Sequence, residues 1–401
     1  MTLLELEARA SGLAARLEVD PGLAAAWRAV AALEEAAASV ALEDVSVPPW
    51  DLLAREIGLG PDPGDPRAIR TAGDLRRVLL SAGPAVDPET LLRRSLTAVE
   101  RTLYVPVETR LVPMQDPRVL AEEWEQALAA IAAGWTQVAA RPAPPVLKAL
   151  GIAGLAARLS PDRWPAFERL VFLWADAWFR EAAISPFGKP VAAPTPGWVL
   201  MPGLALTREG YGVWQPNKPE TWERLFKRLS LQIGREAGRI GLLQDWRGRA
   251  GAWSAGRGNR SRHRTLLQAA ETLPVFRLAE IAAAADVTER AARNIVLEAV
   301  SDGLLVCLTP RRSYRIFALP AFGDLNGRRD RHPARREGGS PRRRGGIGQV
   351  ASGAADPEQA HAARSSMTED AAIARALAEL DAAMTGADQV IAKYGAISDH
   401  P

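Results

Sequence analysis

The sequence predicts a mostly α protein: a helical N-terminal domain, a smaller domain of three helices and a hairpin, a disordered basic linker and a C-terminal amphipathic helix. Three observations lead to this fold class. Apolar residues recur at three- and four-residue spacing through much of residues 1–245. All 12 tryptophans lie before residue 254, whereas the excess of positive charge lies after residue 245. This difference in composition predicts at least two domains within the 401 residues.

The N-terminal domain, residues 1–245, is predicted to consist mainly of helices. A helical apolar pattern occurs at residues 23–44, 87–103 and 116–135. The latter two stretches begin with Asp-Pro, a pair that suits the first turn of a helix. Connections rich in Pro and Gly, such as "GPDPGDP" at residues 60–66, separate the helices.

A more apolar stretch, residues 164–184, is predicted to form a central buried helix. Five bulky side chains fall on one side of it: Phe167, Leu170, Val171, Trp174 and Trp178. Residues 185–219 are proline-rich and are predicted to be irregular. Trp198 and Trp214 in this segment could line a ligand pocket, but packing in the core is the favoured interpretation. A long helix is predicted to resume at residues 220–246.

Two linkers are predicted. The first comprises residues 246–260 and overlaps "RGRAGAWSAGRGNRSRHR" (247–264), which is rich in Gly, Ser and Arg. Residues 321–366 include "NGRRDRHPARREGGSPRRRGGIG", which has almost no apolar side chain to offset the entropy cost of ordering. The C-terminal segment, residues 367–401, is predicted to contain an amphipathic helix that carries apolar side chains on one face: Ile373, Leu377, Leu380 and Met384.

Positive charge is concentrated in one segment of the chain. Residues 246–348 carry 20 basic and 9 acidic side chains, although the net charge of the whole chain is only +3. Every basic side chain of this segment is Arg, which can bind phosphates and guanine edges through two hydrogen bonds. The charge distribution therefore favours nucleic acid as a partner.

Residues 261–320 are predicted to form a compact domain of three helices and a hairpin. The first two helices are expected near residues 262–273 and 277–285. Thr288 has the side-chain oxygen that an N-cap requires, and Gly303 suits the left-handed residue that ends a helix. A third helix is therefore predicted between them. Two runs of strand composition, "LLVCLT" and "YRIFAL", follow and are joined by "PRRS".

The third helix is predicted to read DNA. Its small and aliphatic side chains are expected to face the domain interior: Ala292, Ile295, Val296, Ala299 and Val300. Arg290, Arg293 and Asn294 then face outward near the N-terminal end, where the recognition helix of a helix-turn-helix meets base edges. We expect Arg293 to contact guanine, Asn294 to contact adenine and Arg290 to contact a base or a phosphate. Thr288, at the start of the helix, completes the predicted DNA-binding surface.

The hairpin is predicted to act as a wing beside that helix. Arg311 and Arg312 lie in its turn, and Arg315 begins its second strand. These side chains are expected to lie against phosphates or in a minor groove. A helix-turn-helix can also bind proteins, but arginines on both expected contact surfaces favour DNA.

Residues 273–320, "LPVFRLAEIAAAADVTERAARNIVLEAVSDGLLVCLTPRRSYRIFALP", resemble a bacterial winged helix-turn-helix. The module is similar to those of plasmid-borne rhizobial helix-turn-helix proteins and to the C-terminal modules of Fic-type proteins. Upstream, "EEAAASVALEDV" (34–45) is similar to the Ser-x-x-x-Glu helix that precedes Fic cores, with Ser39 and Glu43 at the matching positions. The chain lacks the His-Pro-Phe and Gly-Asn-Gly-Arg motifs of Fic enzymes. The resemblance therefore implies DNA binding and not nucleotidyl transfer.

No enzyme activity, metal or cofactor is predicted. The single cysteine, Cys307, excludes an intramolecular disulfide and a multi-cysteine metal site. The four histidines have no metal-ligand spacing. An uncharged apolar stretch of about 18 residues and a signal peptide are also absent from the sequence. A cytoplasmic protein without a membrane partner is therefore expected.

The sequence thus predicts a double-stranded DNA-binding protein that regulates transcription or maintains a plasmid or other mobile element. A homodimer is expected, because one winged helix reads only a short site. One alternative is an inactive Fic-related scaffold or toxin–antitoxin component that binds a protein through residues 1–245 or the C-terminal helix. Another is an enzyme whose site lies in residues 150–245, which would require a pocket with converging polar groups.

Overall fold

In a computed structural model of the protein, the described residues are 3–43, 47–56, 66–81, 87–100, 117–161, 165–184, 197–208, 214–256, 262–309, 315–325 and Ala378. Helices dominate this part of the chain, and a small three-stranded sheet accompanies them. The prediction of a mostly α protein is therefore confirmed.

The N-terminal part is built of helices, most of which begin at a proline. Their bounds are α1 (Leu3–Val19), α2 (Pro21–Ala41), α3 (Pro49–Glu56), α4 (Pro66–Ser81), α5 (Pro88–Glu100), α6 (Pro117–Ala139), α7 (Pro145–Leu159), α8 (Pro165–Ile184), α9 (Pro202–Arg208) and α10 (Trp222–Ala255). Proline suits the first helical position because its fixed φ matches the helix and its missing N–H would have no partner there. The helices predicted at residues 23–44, 87–103 and 116–135 correspond to α2, α5 and α6.

Helix α8 is the central buried helix of the N-terminal part, as predicted. Residues 166–177 are buried on every side of the helix, and α8 contacts α2, α5, α7 and α9. Of the predicted core residues, Phe167 and Trp174 are buried, whereas Trp178 is half-buried and lies edge-on to Trp135 with ring centroids 6.0 Å apart. A helix that is buried on all faces needs neighbours on all faces, and α8 has them.

The proline-rich segment predicted to be irregular contains helix α9. Just before α9, the Trp198 indole is fully buried and donates a 3.0 Å hydrogen bond to the carbonyl oxygen of Leu79. Its ring lies 5.4 Å from that of Trp27. Trp214 packs against Phe172 with ring centroids 5.6 Å apart. Both indoles therefore pack in the core, the favoured interpretation.

Helix α10 continues through much of the segment predicted to be a linker, residues 246–260. Its buried face there consists of Trp246, Ala250 and Ser254. These residues recur every four positions, so burial of one helix face outweighs the low helix propensity of the glycines between them. The linker prediction is therefore wrong as far as Ala255. Residues 257–261 lie outside the described part of the chain.

Residues 262–325, apart from 310–314, are described as three helices and a small sheet, called the helix–sheet unit below. Its elements are α11 (Arg262–Thr272), β1 (Val275–Arg277), α12 (Leu278–Ala284), α13 (Glu289–Ser301), β2 (Val306–Cys307) and β3 (Ile316–Ala318). The sheet is antiparallel with strand order β1-β3-β2, and Phe317 of β3 pairs with Phe276 and with Cys307. The three helices and the hairpin lie at the predicted positions, whereas β1 is an addition to the prediction.

The chain after β3 folds back onto α10. A short 3-10 helix, Pro320–Leu325, buries the ring of Phe322, and the Arg239 guanidinium of α10 lies 5.7 Å from that ring. The prediction of disorder for residues 321–366 is wrong at its start, because the apolar side chains of Ala321, Phe322 and Leu325 are buried. The remainder of that linker and the C-terminal helix predicted in residues 367–401 lie outside the described residues, apart from Ala378.

Candidate nucleic-acid interface

Both ends of helix α13 are set by the residues that the sequence singles out. The Thr288 hydroxyl accepts a 3.3 Å hydrogen bond from the backbone N–H of Ala291, so Thr288 is the N-cap. Gly303 has a φ of +69°, the left-handed conformation that ends a helix, and its N–H donates to the carbonyl oxygen of Val300 at 3.1 Å. Before the helix, Asp286 also has a positive φ, of 51°, in the turn after α12.

The two faces of α13 differ as the sequence predicts. Its small and aliphatic residues are buried: Ala292, Ile295, Val296 and Ala299. Val300 is half-buried against the same core. Arg290, Arg293 and Asn294 are exposed on the opposite side, in the N-terminal half of the helix, and neither arginine forms an ion pair with a described residue. The structure thus places these three predicted site residues together on one solvent-facing surface.

The hairpin is described only in part. The Leu308 N–H donates to the carbonyl oxygen of Ile316 at 2.8 Å, and the Thr309 hydroxyl accepts a 2.9 Å hydrogen bond from the Ile316 N–H. Arg315, at the start of the second strand, is half-buried. Arg311 and Arg312, the other predicted wing residues, lie outside the described residues.

Helix α10 holds the end of α13 in place, a contact that sequence reasoning missed. The indole N–H of Trp246 donates a 2.6 Å hydrogen bond to the carbonyl oxygen of Leu304. Two helical turns further on, the indole N–H of Trp253 donates to the carboxylate of Asp302 at 2.6 Å. The bond to Leu304 is buried, and the bond to Asp302 has a charged acceptor. Together they attach the end of α13 to α10. The seven-residue spacing of these tryptophans is the sequence signal that could have revealed the contact.

Helix α11 supports α13 from another side. The imidazole Nε2 of His263 lies 3.2 Å from a carboxylate oxygen of Glu298, and the His263 ring is 5.2 Å from that of Trp253. Glu298 is therefore engaged inside the unit, near the C-terminal half of α13. Glu289, in the first turn, is an exposed acid beside the predicted contact residues, where it also complements the helix dipole.

A buried charged network joins the N-terminal helices to the helix–sheet unit. Arg239 of α10 donates to Glu34 of α2 at 2.8 Å and to Glu236 at 3.1 Å, and it lies 3.7 Å from Asp324 of the 3-10 helix. The indole of Trp27 donates to Glu236 at 2.9 Å. Burial and the nearby charge of Glu34 raise the pKa of Glu236, whereas Arg239 lowers it. Because three elements meet at one guanidinium, the network couples their positions.

The Ser39 and Glu43 pair singled out by the Fic resemblance has a structural role. Arg169 of α8 donates to the backbone carbonyl oxygen of Ser39 at 3.0 Å and to the Glu43 carboxylate at 2.6 Å. One turn earlier on α2, the buried Glu35 carboxylate accepts 2.8 Å hydrogen bonds from the backbone N–H groups of Gly203 and Leu204. Burial raises the pKa of Glu35 to about 7, against the lowering effect of those bonds. These contacts fasten α2 to α8 and α9.

A cleft of about 530 Å³ lies between α4 and α5, outside the range in which an enzyme site was predicted. Arg77, Arg93 and Arg94 contribute to its walls. Arg93 forms ion pairs with Glu89 and Glu125, and Arg77 pairs with Asp74. Most of its positive charge is therefore compensated within the protein.

Within the described ranges, no helix is long and apolar enough to cross a membrane. The same ranges contain no group of three or more His, Cys, Asp and Glu side chains that could hold a metal ion. The chain matches neither a family model nor a curated protein in sequence comparisons.

Proposed function

We propose that residues 261–320 are a winged helix-turn-helix that binds double-stranded DNA. The observation that carries this proposal is the exposed trio Arg290, Arg293 and Asn294 on the N-terminal half of α13, a helix whose other face is buried. A recognition helix presents this end and this face to base edges in the major groove. The helix is capped by Thr288 at its N-terminal end, and α10 holds its C-terminal end, so its position in the domain is defined.

Each predicted contact has a chemical partner in this proposal. Arg293 donates two hydrogen bonds to guanine, Asn294 pairs with adenine, and Arg290 binds a base or a phosphate. Thr288 brings the first turn of α13, with its free backbone N–H groups, towards a phosphate. The wing arginines, Arg311, Arg312 and Arg315, bind phosphates or enter a minor groove. Phosphate contacts place the protein on the duplex, and α13 supplies sequence preference.

The biological role that fits this activity is regulation of transcription or maintenance of a plasmid or other mobile element in the cytoplasm. The N-terminal helices would then mediate oligomerisation or sense a partner or ligand. The buried Glu34–Arg239 pair and the Trp246–Leu304 hydrogen bond give such a signal a physical route to α13. Coupling of this kind requires contacts that both parts share, and α10 supplies them.

Selection from random duplexes followed by binding measurements tests the proposal. For the selected duplex, Arg293→Ala is expected to weaken binding by about 1–3 kcal/mol, roughly 5- to 150-fold. Arg94→Ala, which removes one exposed arginine from α5, is the matched control and is expected to leave affinity unchanged. The Arg311→Ala/Arg312→Ala double variant is expected to reduce the salt dependence of binding by about two phosphate contacts.

Two outcomes would contradict this assignment. An Arg293→Ala variant that binds and selects the same sequence as the unaltered protein would remove α13 as the reading helix. Capture of a protein partner through residues 1–245, unaffected by Arg293→Ala and without any DNA affinity, would favour the Fic-related scaffold.

A further inference from the structure

The outward side of α10 has a composition unlike that of an ordinary solvated helix face. Leu231 and Leu242 are 39% and 56% exposed. They are separated by 11 residues, about three helical turns, so they project in nearly the same direction. Because the two leucines lie about 16 Å apart on one face, a partner helix that runs along α10 would contact both.

Two exposed charges lie on the same face and are related in the same way. Lys227 and Asp245 are 18 residues apart, five turns of helix, and therefore point in one direction. Neither forms an ion pair with a described residue. The leucines and the opposite charges are arranged about a common midpoint, close to residue 236.

The middle of this face is open to close approach. Gly234 and Gly238 are exposed, no atom lies within 4 Å of a Cβ built on Gly238, and the nearest to one on Gly234 is the tip of the Arg9 side chain at 3.9 Å. Glycine in a helix interior costs about 1 kcal/mol relative to alanine. Close packing of a second helix against these positions, where no side chain intervenes, would offset that cost.

We infer that this face of α10 pairs with the same face of a second copy of the chain, with the two helices antiparallel and crossing near residue 236. In that arrangement Lys227 lies level with Asp245 of the second copy, Gly234 lies level with Gly238, and Leu231 lies beside Leu242. Twofold symmetry repeats each contact, so the surface is its own complement. Parallel pairing fails, because Lys227 would face Lys227 and Asp245 would face Asp245.

Arg235 is exposed at the edge of the face, one residue from the midpoint. Two other charges of the face are compatible with this pairing. Arg249, whose guanidinium also lies 3.5 Å from the carbonyl oxygen of Gly303, falls level with Glu223 of the second copy. Arg224 falls level with Gly248. These positions lie about 18–20 Å from the midpoint, where crossing of the helices widens the gap. Lys227 and Asp245, about 13–14 Å from the midpoint, lie nearer to the crossing than these two positions.

The pairing also has a consequence for the helix–sheet units, which dock on α10 through Trp246 and Trp253. These residues lie about 15–26 Å beyond the midpoint at a rise of 1.5 Å per residue. The two units would be separated by roughly 30–50 Å along the helix axis, a range that includes the half-site spacing of about 34–36 Å in helix-turn-helix dimers. Only this consequence rests on the proposed function, because the pairing itself requires no DNA.

Sedimentation velocity of the full-length chain without DNA tests the inference. The chain has a mass of 43.1 kDa, and the expected species has twice that mass. Lys227→Glu and Asp245→Lys, made separately, each place two pairs of like charges in the interface, and each is expected to raise the dimer Kd by about tenfold or more. Lys218→Glu, an equal charge change at an exposed turn outside the face, is expected to leave the Kd unchanged.

The decisive sample is an equimolar mixture of the two single variants. A heterodimer of Lys227→Glu with Asp245→Lys restores both attractive pairs, so the mixture is expected to recover the dimer that each variant alone has lost. The inference would be overturned if the unaltered protein were monomeric, or if neither charge reversal changed the dimer Kd. Recovery in the mixture also shows that the variants are folded. Because no DNA is present, loss of DNA binding and loss of pairing are observed independently.

Discussion

Replacement of Arg239 by methionine is expected to destabilise the protein strongly, because it removes the cation that lies between two buried carboxylates. Arg239 lies 2.8 Å from Glu34 and 3.1 Å from Glu236. All three side chains are buried, and Asp324, 3.7 Å away, is the more exposed third acid. Breaking a buried ion pair by removing one partner costs about 3–5 kcal/mol. The free energy of unfolding of Arg239→Met is expected to fall by that amount near neutral pH.

The loss should depend on pH in a defined direction. Burial already raises the pKa of Glu236, and without Arg239 that pKa rises further, because the stabilising positive charge is gone. Protonation of Glu236 then relieves the repulsion, so the deficit should be smaller at about pH 5.5 than at about pH 7.5. A second change, Glu236→Gln in the Arg239→Met background, is expected to recover part of the loss at the higher pH.

Urea unfolding, followed by circular dichroism and tryptophan fluorescence at about pH 5.5 and 7.5, measures the loss in free energy of unfolding and its pH dependence. Arg94→Met is the matched control, since it removes an exposed arginine from a helix outside the network and outside the proposed pairing face. A loss below about 1 kcal/mol at neutral pH would be no larger than the effect of an ordinary surface substitution. That result, or a loss independent of pH, would refute the buried network as a stabilising link.

Two further perturbations address groups that the fold buries. Arg28 is 7% exposed and forms no hydrogen bond or ion pair with a described residue, and burial lowers its pKa to about 10. Arg28→Met is therefore expected to raise the free energy of unfolding by about 1–3 kcal/mol. A lower free energy of unfolding for this variant in urea denaturation would contradict this. Burial raises the pKa of Glu35 to about 7 and that of Asp176 to about 6. The folded state then binds more protons than the unfolded state between about pH 4.5 and 7, so stability should fall as pH rises through that window, by about 3 kcal/mol from Glu35 alone. Equal stability at about pH 5 and 7.5 would contradict the raised pKa values.

The parts of the fold that sequence reasoning found are those determined by local signals. Thr288 and Gly303 mark the ends of α13 because an N-cap oxygen and a left-handed residue act on their own helix. The outward position of Arg293 follows from the helical repeat and the apolar residues on the other side. Periodicity likewise identified α8, whose bulky apolar residues at three- and four-residue spacing need burial.

The parts that sequence reasoning missed depend on distant contacts. The end of α10 has a glycine-rich composition typical of a linker, and its helical state depends on packing of Trp246 against Leu304, 58 residues away. Strand β1 is three residues long, and its pairing partner is β3, far along the chain. Glu34 and Arg239 are 205 residues apart, so their spacing carries no signal. Tertiary contacts decide such elements and override local propensity.

DNA binding by the outward face of α13 is the property that the proposed function requires. The most direct measurement is the fluorescence anisotropy of a labelled duplex, titrated with the full-length protein across a series of salt concentrations. The account predicts saturable binding at low salt, with an affinity that falls linearly as the logarithm of salt concentration rises and that weakens in Arg293→Ala. Absence of binding at the lowest salt concentration would contradict it.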